Sequence, residues 1–249
     1  MKIQSKTPEE IEIMRQGGKI AASVLATLSK KIEPGMTTFE LDEIAEAIIV
    51  KSEATPSFKG FRGYPAATCI SINNEVVHGI PSARVVADGD IVGIDVGVYY
   101  KGFHTDTAIT VGVGQISDKA QKLINITKAS LENGLAQIKA SAHLGDAQFM
   151  IQKTLESAGL GVIRDLTGHG VGRELQEAPS IANYGQKGSG MVLEEGMTLA
   201  IEPMSTLGGW RVNMLSDGWT VVTADNSLSA HFEHTIVVTK NGCEILTKI

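Results

Sequence analysis

The chain of 249 residues holds only two cysteines, Cys69 and Cys243. Two thiols supply no disulfide framework, and their scarcity points to a reducing compartment, the cytoplasm. Basic residues are also short: 22 lysines and arginines face 28 acids, a formal net charge of -6. A nucleic-acid binder ordinarily carries a basic stripe, so no specific nucleic acid is expected as a partner. No apolar stretch approaches the roughly 18 residues that span a membrane. Met1-Lys2-Ile3-Gln4-Ser5-Lys6 lacks the apolar core of a signal peptide. Gly112-Val113-Gly114 is a lone GxG without the third glycine of a dinucleotide site. No Walker loop occurs, Gly188-Ser189-Gly190 lacks the spacing of a nucleophile elbow, and neither cysteine sits in a C-x-x-C pair.

What remains is an ordinary globular composition, 43% hydrophobic and 20% charged, long enough for one large domain or two fused halves. Thr7-Pro8-Glu9-Glu10 reads as a helix start with a capping box. Thr37-Thr38-Phe39-Glu40 opens a second helix after the break at Pro34-Gly35. Strands are expected at about 67–72, 91–98 and 104–111. The order then repeats: a helix from Ser117-Asp118, another from about Asp146 to Ser157, and strands near 160–167, 197–202, 218–223 and 233–239. Gly89-Asp90-Ile91-Val92-Gly93-Ile94-Asp95 echoes Gly196-Met197-Thr198-Leu199-Ala200-Ile201-Glu202, and Val77-His78-Gly79-Ile80 echoes Gly168-His169-Gly170-Val171. Both echoes in the same order favour an internal duplication. The expectation is a single catalytic domain over 1–249, with pseudo-repeat halves of about 1–115 and 116–249.

Five side chains carry the chemistry: Asp95, Asp106, His169, Glu202 and Glu233. Asp95 and Glu202 close apolar strand-like runs and Glu233 begins one. Burying a carboxylate there is costly unless something pairs with it. Asp95 and Asp106 are spaced as on two adjacent antiparallel strands joined by Tyr99-Tyr100-Lys101-Gly102. His169 lies in Gly168-His169-Gly170-Val171-Gly172, where glycines permit close backbone approach. Four carboxylates and one imidazole form a hard donor set that suits two divalent metal ions sharing bridging carboxylates. His78, in a loop-like stretch, has two open readings, a solvated histidine or a donor to a substrate amide. His104, His143, His231 and His234 are weaker candidates, with His231 and His234 expected on a different face or register from Glu233. Such a centre activates water, so hydrolysis of an amide or ester is the reaction class.

Seven segments, in order, make the chain resemble the type I methionine aminopeptidases over nearly its whole length. They are Thr68 to Asn73, Glu75 to Pro81, Gly89 to Asp95, Asp106-Thr107-Ala108, Gly168 to Gly172, Ile201-Glu202-Pro203 and His231 to Thr239. The resemblance implies the pita-bread fold: two pseudo-symmetric α/β halves, helices outside a curved, mainly antiparallel sheet, around a dinuclear metal centre. It implies that Asp95 holds one ion alone, that His169 and Glu202 hold the other, and that Asp106 and Glu233 bridge. Glu202 would take a proton from water, and His78 would contact the scissile peptide. Phe61, Tyr64, Cys69 and Trp219 match positions that line a methionine pocket, and a thioether fits an aromatic-walled slot. The implied activity is removal of the initiator methionine from nascent polypeptides whose second residue is small, by a cytoplasmic monomer, with the ribosome as a further partner. The ions would be cobalt, manganese, iron(II), zinc or nickel.

The chain departs from the family pattern at two places. Seven residues after His169 the family carries a second histidine that donates to the substrate carbonyl oxygen; here stands Gln176. An amide also donates, but carries no charge. Phe61 replaces a tyrosine common in the pocket. No N-terminal zinc-binding extension or long insertion in the second half is seen, which favours the bacterial form. Two other functions compete: a peptidase of the same fold that cleaves before proline, and a weakly active or non-catalytic binding homologue, to which only Gln176 lends weight.

Overall fold

The computed structural model describes residues 3–248. Helix α1 (Pro8–Lys31) begins as the sequence requires: Thr7 and Glu10 satisfy each other's backbone N–H groups. Thr37 and Glu40 repeat the device at α2 (Thr38–Lys51). Ser117 caps α3 (Asp118–Leu135). Helix α4 (Leu144–Ser157) starts two residues earlier than expected.

Fifteen strands complete the described fold. In the first half they are β1 (Thr55–Pro56), β2 (Thr68–Ile72), β3 (Glu75–Val77), β4 (Ile91–Tyr100) and β5 (Phe103–Gly112). The second half holds β6 (Gly161–Val162), β7 (Thr167–Gly170), β8 (Glu177–Ala182), β9 (Thr198–Ile201), β10 (Met204–Thr206), β11 (Val212–Met214), β12 (Val221–Thr223), β13 (Ser229–His231), β14 (Glu233–Thr239) and β15 (Gly242–Ile245). The main sheet runs β1-β4-β5-β14-β9-β7-β8, with β2 added on β4 and β15 on β14, and every pairing is antiparallel. This curled sheet with its four helices is the expected pita-bread architecture. The short strands β1, β3, β8, β10, β11, β13 and β15 escape a pattern search because two to six residues leave too little periodicity to read.

Two apolar cores cover the outer face of the sheet. One joins α1 and α2 to Ile70, Ile72, Val92, Ile94, Val96 and Val98. The other joins α3 and α4 to Leu199, Ile201, Ile236 and Val238. Strand alternation then decides what faces the other way. On β4 the even positions enter the core, so Gly93, Asp95 and Gly97 face inward. The strand extends through Tyr100, so Asp95 lies within it instead of closing it. The turn into β5 is only Lys101-Gly102, both at positive φ (47° and 94°), as a two-residue hairpin demands.

Candidate metal centre

Register alone gathers the five donors. Asp95 pairs with Ala108, and Ala108 pairs on its other side with Glu233. Extending the β14–β9 register by one step sets Glu202 beside Glu233. These residues form one row across four strands. Asp106 is two residues from Ala108, and His169 pairs with Ala200, two residues from Glu202. With a side-chain period of two, all five donors point from the same face. Threonine hydroxyls hold the central pair of strands: Thr235 Oγ1 accepts the Asp106 N–H and donates to the Asp106 carbonyl, each at 2.8 Å. The Thr107 hydroxyl donates to the Glu233 carbonyl, also at 2.8 Å.

The glycines around His169 have a steric cause. A Cβ on Gly168 would collide with the Ala200 carbonyl, and one on Gly170 with the Ala178 carbonyl, so β9 and β8 reach His169 only because both are glycine. His169 Nδ1 lies 2.9 Å from the Gly170 carbonyl. A carbonyl only accepts, so Nδ1 donates there, which fixes the ring with Nε2 aimed at the carboxylates. Nε2 stands 3.7 Å from Glu202 Oε1 and 4.0 Å from Asp106 Oδ2, beyond direct hydrogen-bond length. One donor atom each from Asp106, His169 and Glu233 lies within 4.8 Å of the others. Cation–donor bonds of about 2.1 Å place donors up to about 4 Å apart around one ion.

The same residues are unsatisfied without a cation. Asp95 Oδ1, Asp106 Oδ1 and Glu233 Oε1 are buried and have no hydrogen-bond partner. Glu233 is 2% exposed and Asp106 5%. Burial, then mutual repulsion, pushes the Asp95, Glu202 and Glu233 carboxyls well above the usual range, and burial pushes Asp106 up. Divalent positive charge removes both costs and supplies the missing partners, so the residues fit a metal centre.

An apolar slot opens beside the donors. Tyr64 and Trp219 meet edge to face at 5.1 Å between centroids, and Phe58 meets Tyr64 at 6.5 Å. Phe61, Cys69 and Leu175 complete the wall. The Tyr64 hydroxyl is tied to the Thr68 and Gly79 carbonyls at 3.0 Å each, which holds the ring in place. His78 has φ +59° and packs edge-on against Trp219 at 6.4 Å. Burial lowers its pKa, so its ring is neutral at physiological pH. Gln176 is exposed at the rim. All eleven residues singled out in the sequence line one cavity of about 270 Å³: Phe61, Tyr64, Cys69, His78, Asp95, Asp106, His169, Gln176, Glu202, Trp219 and Glu233.

Sequence reasoning missed Phe58 and Leu175, and ranked His231 low. Phe58 and Leu175 carry no chemical signal, and only packing shows them as slot walls. His231 has the same parity as Glu233, but it belongs to the separate strand β13, paired with Met204 just beyond Glu202. Its Nε2 is buried without a hydrogen bond, 3.6 Å from Glu202 Oε2. His234 turns away to Thr247 Oγ1 at 3.0 Å, and His104 to Ser57 Oγ at 2.8 Å.

Three comparisons bear on this geometry. The profile of metallopeptidase family M24 matches residues 12–240. The chain is 51% identical to a methionine aminopeptidase of Clostridium perfringens over 98% of both chains. It is 46% identical to that of Escherichia coli K12, over 99% of this chain and 94% of the relative. A methionine aminopeptidase structure from Thermotoga maritima superposes with a TM-score of 0.98 at 50% identity, covering all of both chains. A prolidase from Pyrococcus furiosus is more distant: TM-score 0.79 and 25% identity, with 65% of its length covered.

Proposed function

The chain belongs to metallopeptidase family M24, and we propose that it is a methionine aminopeptidase, a metal-dependent hydrolase that removes the initiator methionine from new polypeptides whose second residue is small. The observation that carries this reading is the shared cavity, in which four carboxylates, Asp106 and Glu233 buried and Asp95 and Glu202 partly so, sit with one imidazole beside an aromatic slot. It occurs in a chain about half identical, from end to end, to methionine aminopeptidases.

Membership of the family implies divalent metal ions. In this reading Asp95, Asp106, His169, Glu202 and Glu233 would together hold two divalent ions. When bound, the cations supply the positive charge that lets water ionise near neutral pH and that polarises the carbonyl under attack. The protein's own groups do the rest. A Glu202 carboxylate oxygen accepts the proton of the attacking water. The neutral His78 ring donates its N–H to the scissile peptide, and the Gln176 amide donates to the carbonyl oxygen as charge develops there. Tyr64, Phe61, Cys69 and Trp219 enclose the methionine thioether, an unbranched side chain suited to that slot. Manganese, iron(II), cobalt, zinc and nickel all suit such donors. The protein acts in the cytoplasm as a monomer on nascent N-termini, with the ribosome as a docking partner that co-sedimentation tests.

The deciding experiment strips the protein of metal and assays Met-Ala-Ser against Xaa-Pro peptides. Each of the five metals is then added back. Turnover of Met-Ala-Ser only with added metal supports the reading. Preference for the Xaa-Pro peptides would transfer the protein to the prolidase-like branch, and failure with every metal would leave a binding homologue.

A further inference from the structure

The loop that bears Gln176 runs from Gly172 to Glu177, between the strand that carries His169 and the edge strand β8. It has little regular structure of its own. Gly172 N–H donates to the Glu174 carbonyl at 3.1 Å, and Glu174 N–H to Glu177 Oε1 at 3.2 Å. The Glu177 carboxylate therefore closes the loop from inside. Its other oxygen is held from outside: Lys6 Nζ lies 2.8 Å from Glu177 Oε2. Lys6 is 7% exposed, unusual for a lysine. Its stem passes directly over Gly172, where any Cβ would collide with Lys6 Cε. The last glycine of Gly168-His169-Gly170-Val171-Gly172 is thus the gap through which this side chain reaches the loop. The Lys6 backbone is fixed in turn, its N–H donating to the Gly196 carbonyl at 2.8 Å. Glu10 and Arg173 form a second, exposed link between the N-terminal segment and the loop, and a pair of that kind contributes little by itself.

We propose that Lys6 is a positioning residue for catalysis: through Glu177 it holds the 172–177 loop so that the Gln176 amide meets the substrate carbonyl. This rests on the reading of Gln176 as a substrate contact. The N-terminal segment, remote in sequence, thereby becomes part of the apparatus that orients the peptide. Removing the ammonium leaves the Glu177 carboxylate at the cavity edge without its buried partner. It then swings toward water, because its side chain is already 22% exposed, and the Glu174 N–H loses its acceptor. A misplacement of about 1 Å in a catalytic group can cost on the order of a hundredfold.

The test is a double-mutant cycle on Met-Ala-Ser with saturating Mn(II), using wild type, Lys6→Met, Gln176→Ala and the double variant. Melting temperature and Mn(II) affinity are measured on each. Lys6→Met is expected to lower kcat/KM by about tenfold, mainly in kcat, in the parent and by less than about twofold in Gln176→Ala. Lys6→Arg, which keeps the cation, should recover most of the loss, with Mn(II) affinity unchanged throughout. Glu177→Gln should copy the Lys6→Met pattern and serves if Lys6→Met fails to fold. An equal loss in both backgrounds, or a loss that tracks Mn(II) affinity, overturns the proposal. An unchanged Gln176→Ala enzyme overturns the reading of Gln176 itself and the proposal with it, and that outcome is read from a different variant.

Discussion

Replacing Glu233 by glutamine should stabilise the metal-free protein and destroy its response to metal. Glu233 is 2% exposed, its Oε1 has no partner, and Asp95, Asp106 and Glu202 surround it. Without a cation the carboxyl must either ionise among like charges or hold a proton that the unfolded chain would release. An unfolded glutamate titrates near 4.3, and each pH unit is worth about 1.4 kcal/mol. Holding that proton near pH 7.5 costs up to about 4 kcal/mol. Glutamine has the same shape, cannot ionise, and offers an N–H to the neighbouring carboxylates. Its own burial costs about 1–3 kcal/mol where the amide is incompletely paired. The net gain expected is about 1–3 kcal/mol, and with about 2–4 °C per kcal/mol for a chain of this length, the melting temperature should rise by roughly 2–12 °C. The assay is calorimetry of wild type and Glu233→Gln in EDTA, then in increasing Mn(II). Wild type should gain stability with Mn(II) through its binding free energy, and the variant should not, so the two curves cross. A variant less stable than wild type in EDTA would refute the claim that the carboxylates oppose one another. One that gained as much from Mn(II) would remove Glu233 from the ligand set.

Gln176→His restores a donor that can carry charge and should raise kcat/KM on a methionyl peptide by about tenfold or more, since such a contact is worth on the order of 2–4 kcal/mol; an unchanged or lower value rejects the reading. His78→Ala should lower kcat by roughly a hundredfold to a thousandfold while Mn(II) affinity measured by titration calorimetry stays the same. A matching fall in affinity would make His78 part of the metal site. The metal-stripped protein should also lose stability as pH rises from about 7.5 to 9, above the range in which unfolded histidines titrate. The carboxyls of the centre are raised above their unfolded values, so the stability they contribute is complete below the unfolded pKa and is lost as pH climbs through the folded one. The histidines His78, His104, His231 and His234 are held below their usual value, whereas in the unfolded chain they titrate near 6.5; they make stability rise with pH below about 7.5 and add almost no slope above it. A melting temperature that rises across that upper window in EDTA would contradict this.

Helix starts were legible because their caps are local: Thr7 with Glu10 and Thr37 with Glu40 close within one turn. The long strands β4, β5 and β14 were legible because their apolar runs are long enough to register. His231 was set apart from Glu233 although a separation of two gives both the same parity; what brings it to Glu202 is the pairing of β13 with β10, a contact between segments remote in the chain. Phe58 and Leu175 were invisible because a slot wall is defined by what it faces.

Residue types and their local spacing therefore suffice to specify the donor chemistry, the helix caps and the hairpin that carries Asp95 and Asp106. These depend on interactions within a few residues, which one chain segment contains whole. The common face of donors from β4, β5, β7, β9 and β14, the ring of Tyr64 against Trp219, and the grip of Lys6 on Glu177 arise only when distant segments pair. Each depends on strand register or side-chain contact between segments remote in the chain, and such relations have no local signature for a linear reading to find.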